Sequence, residues 1–307
     1  MDLPVRNDRD LIGYGEHRPY PKWPDAARVA VQFVLNYEEG GENCVLYGDD
    51  QAETFLSDIL PAPEVANMRH MSMESLFEYG SRVGVWRILR LFEERGWPLT
   101  IFAVASALDQ YPELAKRFVA GGHEVAAHGY RWIDYQHVSK EEERTHIGEA
   151  VRSLRRLTGG TPQGWYTGRT SPNTLDIVAN EHDFAYCADD YSDDLPFWDY
   201  RYGKPLLIVP YALDTNDMRF AAAHGFANGD EFFAYLKDAF DTLYTEGQSQ
   251  PSMMSVGLHC RLAGRPGRFA ALKKFVEYVE SHESVWVCRR LDIADHWRTH
   301  FPAEGTT

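Results

Sequence analysis

Long hydrophobic stretches are missing from this sequence. Hydrophobic residues make up 44% of its 307 positions, but no apolar run approaches the roughly 18 residues that a transmembrane helix needs. Residues 1–10 also lack the apolar region of a secretory signal. We therefore expect no membrane span, no membrane partner and a cytoplasmic location.

Cysteine and basic clusters are scarce as well. The four cysteines are scattered and form no CxxC pair, which is typical of small buried hydrophobes in a reducing compartment rather than of a disulfide framework or a metal site. Acidic residues number 46 against 31 basic ones, giving a formal net charge of −15 with no Lys/Arg-rich helix face. This balance argues against nucleic acid as a partner.

Alternating strand and helix patterns fill most of the chain. Residues 1–27, rich in proline and glycine, are predicted as an N-terminal arm, and residues 28–300 as a single domain with an inserted irregular loop at about 40–80. The predicted strands are residues 28–36, 99–105, 124–127, 164–166, 184–188, 206–209, 253–258 and 285–288. The predicted helices are residues 81–95, 112–120, 139–159, 172–180, 229–244, 269–279 and a last one fading near residue 300.

This alternation predicts an α/β fold with a parallel sheet. About seven or eight strand–helix units fit a barrel better than an open sheet, although the count alone does not separate the two. In either arrangement the active site is expected at the carboxyl ends of the strands.

Several predicted strands end in a side chain able to do chemistry. Burying an unpaired carboxylate is costly, so a strand that ends in two adjacent acids points them at solvent or uses them. In a barrel all of these strand ends gather at one face. The residues concerned are Glu38, Glu39, His128, Asp189, Asp190 and His259.

Four motifs in order resemble the polysaccharide deacetylase (NodB homology) family. Residues 36–40, Asn-Tyr-Glu-Glu-Gly, stand where that family has Thr-Phe-Asp-Asp-Gly, and residues 128–132 stand where it has His-Ser/Thr-x-x-His. Residues 168–172 are similar to its arginine motif, and residues 257–259 to its Leu-His strand end. The resemblance implies a NodB-like fold, a distorted (β/α) barrel of about seven strands.

One departure from the family pattern concerns its metal. The family binds a divalent cation through its second acid and two histidines, positions held here by Glu39, His128 and Trp132. An indole N–H only donates, so it cannot ligate a cation, and two ligands are too few for a usual zinc site. His123, five residues before His128, is predicted to face the other side of its strand. We therefore predict an active site without metal and without any cofactor.

The same departures, together with residues 10–15 and 36–42, resemble the cofactor-independent allantoinase branch of the family. This resemblance implies hydrolysis of (S)-allantoin to allantoate in purine degradation, a small-molecule ureide as the substrate, and a homotetramer. Opening the ureide ring is cyclic amide hydrolysis, which needs an activated water, a stabilised oxyanion and a proton for the leaving nitrogen.

Three residues are predicted to be catalytic. Glu38, at the family's base position, would deprotonate water, with its pKa raised by repulsion from Glu39. Alternatively, Glu39 holds His128 in a role left over from metal binding. His259, at the family's acid position, would protonate the nitrogen, although a core histidine would look the same. Arg169 would stabilise the oxyanion.

The remaining candidates concern substrate binding. Arg169 could instead form a salt bridge to Asp189 or Asp190. Trp132 is predicted to fill the vacated metal space and to stack on the flat ring, and a core-filling indole would fit equally well. For Glu74 a surface role fits at least as well as a binding one. Substrate-binding candidates besides Glu39, His128 and Trp132 are Asn36, Glu74, Tyr166, Asp190 and Asn216.

Three other functions stay open at this stage. A metal-dependent N-deacetylase of polysaccharide or peptidoglycan would need zinc, and a cyclic imide hydrolase would use the same fold on a different ring. A protein that binds ureides without catalysis is the third, which the acid, histidine and arginine at the strand ends disfavour.

Overall fold

A computed structural model of the chain describes residues 9–305, so residues 1–8 of the predicted arm lie outside the described part. The strands are β1 (Val29–Tyr37), β2 (Thr100–Ala103), β3 (Glu124–Ala127), β4 (Gly164–Trp165), β5 (Tyr186–Cys187), β6 (Phe197–Asp199), β7 (Leu206–Ile208), β8 (Ser252–His259) and β9 (Val285–Val287). The helices are α1 (Met71–Tyr79), α2 (Val85–Glu93), α3 (Ala105–Gln110), α4 (Pro112–Ala120), α5 (Lys140–Thr158), α6 (Thr174–Glu181), α7 (Gly229–Glu246), α8 (Pro266–Glu280) and α9 (Arg290–His300). Within residues 9–305, no helix is both long and apolar enough to span a membrane.

The strands form one curled sheet. Hydrogen-bonded neighbours run in the order β6, β7, β5, β4, β3, β2, β1, β8, and β9 pairs with the start of β1. All the pairings are parallel except that of β6 with β7. The predicted α/β class is confirmed, with seven parallel strands along the path of a curled half barrel.

Strand β1 lies in the middle of this sheet and has two different faces. Its odd-numbered residues, such as Phe33 and Leu35, join the core between the sheet and the helices. Its even-numbered residues, such as Val34, join a second core inside the curl. Because side chains alternate along a strand, Asn36 and Glu38 continue the inner series up to the carboxyl end.

The arm residues that the structure describes pack on the barrel. Tyr14 donates a hydrogen bond to the Pro196 carbonyl oxygen at 2.6 Å, and the buried Trp23 indole donates to the Ser252 carbonyl oxygen at 3.1 Å. Trp23 also lies against the ring of Trp297 on α9, with 6.1 Å between the ring centroids.

Each predicted strand coincides with an observed one to within two residues at either end. The predicted irregular loop at 40–80 is wrong for its last ten residues, because α1 begins at Met71, where the His70 Nδ1 accepts from the Met73 N–H at 3.3 Å. Strand β6 and helix α3 were not predicted, since each is too short to show a period.

A π-helical turn at Gly80–Gly84 joins α1 to α2 and brings them against two strand ends. A Cβ on Gly80 would overlap the Glu39 carboxylate, and one on Gly84 would overlap the Cys260 carbonyl group. Only glycine at these positions allows so close an approach. The turn therefore supports the ends of β1 and β8 from outside. Single π-helical turns of this kind are frequent at functional sites.

Replacing Gly84 with Ala should lower the free energy of unfolding by about 1–3 kcal/mol, because the Cys260 carbonyl group is backbone and must shift with its strand. Urea denaturation measures this. The control is Gly267→Ala in the first turn of α8, where a Cβ meets open space and should stabilise by up to about 1 kcal/mol. Equal stability of the two variants would contradict the close approach.

Candidate active site

Three predicted residues meet at the carboxyl ends of β1, β3 and β8. The Glu38 Oε1 lies 3.2 Å from the His128 Nε2 and 3.4 Å from the His259 Nε2. All three side chains are buried, with Glu38 only 1% exposed. The meeting follows from strand register, because Asn36 pairs with His259 across β1 and β8, and Glu38 lies two residues further on the same inner face.

His128 is held by backbone on its far side. Its Nδ1 lies 3.1 Å from the carbonyl oxygen of Tyr166, and the two rings are 5.0 Å apart between centroids. A carbonyl oxygen only accepts, so the Nδ1 carries a proton and the Nε2 is directed at Glu38. His128 thus links the backbone of Tyr166 to the Glu38 carboxylate.

His259 is oriented by Asp217, a fully buried residue that sequence analysis missed. The His259 Nδ1 donates to the Asp217 Oδ1 at 2.6 Å, and the Asp217 Oδ2 accepts from the backbone N–H groups of His259 and Ala263. Burial lowers the pKa of His259, but the charges of Glu38 and Asp217 outweigh it and raise that pKa to about 9. His259 is therefore an imidazolium at neutral pH.

Arg261 is the second residue that sequence analysis missed. Its Nη2 donates to the Glu38 Oε2 at 2.7 Å, its Nη1 lies 3.5 Å from the Glu39 Oε1, and its backbone N–H donates to the same oxygen at 3.2 Å. The only signal in the sequence was its place two residues after His259. One guanidinium thus contacts both of the adjacent acids, Glu38 and Glu39.

The predicted rise in the pKa of Glu38 is wrong. Burial raises that pKa, but the charges of Arg261 and His259 and the hydrogen bond from His128 hold it well below its usual range. The repulsion affects Glu39 instead. Burial and the charge of Glu38 raise the pKa of Glu39, although the charge of Arg261 lowers it. The alternative role suggested for Glu39 is to hold His128. In the structure it is Glu38 that forms the hydrogen bond with His128.

Arg169 lies in a stack of cations and aromatic rings. Its guanidinium carbon is 3.9 Å from the ring centroid of Trp132 and 4.9 Å from that of Phe55, while Arg261 lies 5.0 Å from the Trp132 ring and 4.1 Å from the Phe77 ring. Cations are attracted to the faces of aromatic rings, so this stack fixes both arginines beside the buried Trp132.

The salt bridge suggested for Arg169 forms with a different acid. Its Nη1 lies 3.3 Å from the Glu53 Oε2, on the inserted loop. Asp189 instead accepts from the backbone N–H groups of Thr167 and Gly168, at 2.8 and 2.7 Å, and so anchors the loop that carries Arg169. Burial raises the pKa of Asp189 to about 6.

Two predicted amides lie just inside the barrel. Asn36 donates to the Leu258 carbonyl oxygen at 3.1 Å and to the Tyr211 hydroxyl at 3.3 Å, and Asn216 donates to the same hydroxyl at 3.2 Å. The Tyr166 ring packs against Tyr211, with 5.1 Å between the centroids.

Two other candidates have local partners. Glu74 forms an ion pair with Arg69 near the surface, which agrees with the surface role considered for it. Asp190 accepts from the backbone and hydroxyl of Ser192 in its own loop. Neither contact involves Glu38 or its partners.

The residues at the family's metal position do not fit a divalent cation. Glu39 has a guanidinium against its Oε1, His128 directs its Nε2 at Glu38, and the Trp132 indole offers no lone pair. His123 faces away, because its Nδ1 accepts from the Leu99 N–H. Among residues 9–305, no group of three or more His, Cys, Asp or Glu side chains is arranged to hold a metal.

Comparison with known proteins identifies the class. The sequence profile described as "Polysaccharide deacetylase" matches residues 67–186. A protein of Schizosaccharomyces pombe named "Putative polysaccharide deacetylase" is 44% identical over 314 residues, covering 96% of this chain and 98% of that protein. The chain therefore belongs to the polysaccharide deacetylase family, and the resemblance seen in its motifs is confirmed.

Two solved structures are closer in sequence. A probable polysaccharide deacetylase from Pseudomonas aeruginosa PAO1 is 57% identical, with a TM-score of 0.95, over 97% of this chain and 100% of that one. The structure named PuuE allantoinase is also 57% identical at a TM-score of 0.95, over 99% of this chain and 100% of that one. The chain thus has the NodB-like fold that was expected, and it is a deacetylase-family hydrolase.

The charge state of His259 can be measured without any substrate. We expect its imidazole to titrate at about pH 9 by nuclear magnetic resonance. The Asp217→Asn variant should lower that pKa by at least about one unit, since it removes one of the two anions that face the ring. A His259→Asn spectrum assigns the signal, and a wild-type midpoint near the ordinary value of about 6.5 would contradict the assignment.

Proposed function

We propose that this protein is an allantoinase that opens the hydantoin ring of (S)-allantoin to give allantoate, with no metal taking part. The observation that carries the proposal is the 57% identity to PuuE allantoinase over 99% of this chain. The proposed base, Glu38, and the proposed acid, His259, of cyclic amide hydrolysis lie within this common region.

The charge state of the pair suits the first step of the reaction. Glu38 is a carboxylate and His259 an imidazolium, 3.4 Å apart. Hydrolysis needs a group that accepts a proton from water and one that donates a proton to the leaving nitrogen. We assign these roles to Glu38 and His259. Both groups hold the required protonation state at neutral pH before substrate binds.

Substrate binding falls to residues around the pair. Arg169 presents planar donors suited to the carbonyl and urea groups of a ureide, and the buried Trp132, on which it stacks, holds its guanidinium in position. The hydroxyl and amide groups of Asn36, Tyr166 and Asn216 are proposed as hydrogen-bonding partners of the ureido arm. His128 positions Glu38 through its hydrogen bond.

Chelator-treated protein should hydrolyse allantoin at the same rate as untreated protein. The assay compares allantoin with dihydrouracil, succinimide and N-acetylglucosamine oligomers, and the metal content of the enzyme is measured alongside. No turnover of allantoin would refute the proposal. Hydrolysis of succinimide or dihydrouracil alone would favour a cyclic imide or amide hydrolase of other rings. Zinc-dependent deacetylation of the oligomers would favour the metal-dependent deacetylase.

Replacing Glu38 with Gln should lower kcat by roughly 10²–10⁴-fold, the usual contribution of a general base. In the wild type, kcat/KM should be level through neutral pH and fall above about pH 9, as His259 loses its proton. The acid limb should lie below the ordinary carboxyl pKa of about 4.3, because the pKa of Glu38 is lowered. A Gln variant with full activity would refute the assignment of the base.

The matched control is Glu74→Gln. This variant makes the same chemical change in Glu74, which forms an ion pair with Arg69 near the surface. We expect its kcat to stay close to that of the wild type, because the ion pair of Glu74 with Arg69 does not involve Glu38 or its partners. A loss of kcat as large as that of the Glu38 variant would indicate that Glu74 takes part in substrate binding or catalysis.

A further inference from the structure

We propose that Arg261 is the electrophilic group of this active site: its Nη1 binds the carbonyl oxygen of the substrate and stabilises the oxyanion that forms there. The inference rests on the proposed ring-opening function and names the residue that takes over the charge supplied elsewhere in the family by a metal.

The first support is where the guanidinium lies. It touches both Glu38, the proposed base, and Glu39, the carboxylate at the family's metal-ligand position. A positive charge in contact with both acids occupies the electrostatic position of a bound cation. When water held at Glu38 attacks the acyl carbon of the substrate, the acyl oxygen would therefore develop its negative charge close to this guanidinium.

The second support is an unused donor. Arg261 is 1% exposed, and its Nε and Nη2 donate to the Leu56 carbonyl oxygen and to Glu38. In the part of the chain that the structure describes, its Nη1 has no hydrogen-bond partner, although Glu39 lies 3.5 Å away. A buried donor without a partner is costly, and a substrate oxygen would satisfy it.

The third support is rigidity. The ring of Phe77 lies 4.1 Å from the guanidinium carbon of Arg261, that of Trp132 lies at 5.0 Å, and the Nε is tied to backbone. A donor fixed before the reaction needs no reorganisation as charge develops, which is what makes such groups effective. Arg169, by contrast, is 16% exposed and paired with Glu53 on the inserted loop, which suits substrate binding.

The reaction balances with these groups. Water oxygen bonds to the acyl carbon as one water proton passes to Glu38, and the carbonyl electron pair moves onto the oxygen beside Arg261. When that pair returns, the carbon–nitrogen bond breaks and the His259 proton passes to the nitrogen. Glu38 then returns its proton to His259, and the new carboxylic acid ionises, so that one proton is released overall.

The first test is kinetic. Arg261→Ala should lower kcat for allantoin by about 10²–10³-fold, the usual loss for an oxyanion donor, and KM by far less. Millimolar guanidinium, below denaturing concentrations, should restore part of kcat, whereas sodium at the same ionic strength should not. The acid limb of kcat/KM should also move to higher pH, because Arg261 holds the pKa of Glu38 low. A merely structural role would give no rescue, whereas the shift checks only that Arg261 and Glu38 form the ion pair.

Removing a buried arginine can prevent folding, so Arg261→Lys is the second variant. It keeps the charge but cannot bridge Glu38, Glu39 and a carbonyl oxygen at once, and kcat should fall at least about tenfold. The matched control is Arg268→Ala, which removes another arginine stacked on a phenylalanine ring, Phe220, away from Glu38, and should keep wild-type kcat. Wild-type kcat in either folded Arg261 variant would overturn the proposal.

A second test needs no substrate and so separates this inference from the proposed function. Trp132→His restores the family's third ligand, yet it should not bind zinc while Arg261 stays in place, because the guanidinium repels a cation. The double variant Trp132→His, Arg261→Ala should bind zinc stoichiometrically, measured as metal content after dialysis. Equal zinc binding by the single variant, or none by a folded double variant, would overturn the proposal.

Failure of the proposed function looks different from these outcomes. If the wild type hydrolyses no allantoin but the two variants differ in zinc as expected, the proposed function fails, while the placement of Arg261 at the cation position is supported. If the wild type hydrolyses allantoin and the Arg261 variants keep their kcat, the function stands and the role of Arg261 is refuted.

Discussion

Two adjacent carboxylates and one guanidinium share a space from which water is almost excluded. Glu38 and Glu39 are at most 4% exposed, and Arg261 is 1% exposed. Removing one partner of such a buried pair typically costs about 3–5 kcal/mol, because the remaining charge has no solvent. The two carboxylates at the end of β1 can therefore be buried only because the chain after β8 places Arg261 against them. The glycines of the π-helical turn allow the close approach of these strand ends, and the rings of Phe77 and Trp132 pack against the guanidinium of Arg261.

The same contact organises the charges of the site. Arg261 and His259 keep Glu38 ionised, Asp217 keeps His259 protonated, and the repulsion between the two glutamates falls on Glu39. The proposed acid and the proposed base are thereby held in opposite charge states by their surroundings, an arrangement that lets one site perform both roles near neutral pH. Glu39, which stands at the position where the motif resemblance implies a metal ligand, has a protein cation, Arg261, as its partner.

Periodicity along the chain explains what could be predicted. The alternation of β1 puts Asn36 and Glu38 on its inner face, and the strand-end positions of His128 and His259 bring them to Glu38. Arg169 was found through its motif, but its partner Glu53 lies 116 residues away on an irregular loop. No local pattern connects two such positions, so Asp189 and Asp190 looked like equally good partners.

Two long-range partners in the site could not be predicted from local patterns. Arg261 lies in the turn after β8 and Asp217 begins a short 3-10 helix, and neither belongs to a motif of the sequence. Without Arg261, only repulsion is expected between Glu38 and Glu39. Glu74 and Asp190 have the nearby partners Arg69 and Ser192, and their contact with a substrate stays a prediction. Charge interactions depend on distance and burial, and neither can be obtained from residue type alone.

The sequence by itself determined the order of strands and helices, the two faces of β1 and the kinds of groups that end its strands. These follow from side-chain periodicity and backbone preference, which act over a few residues. Only the tertiary structure decided which charged side chains contact one another. Glu38 and Arg261 are 223 residues apart in the chain and 2.7 Å apart in the fold. Their pKa values, and with them the chemistry of the site, depend on that contact.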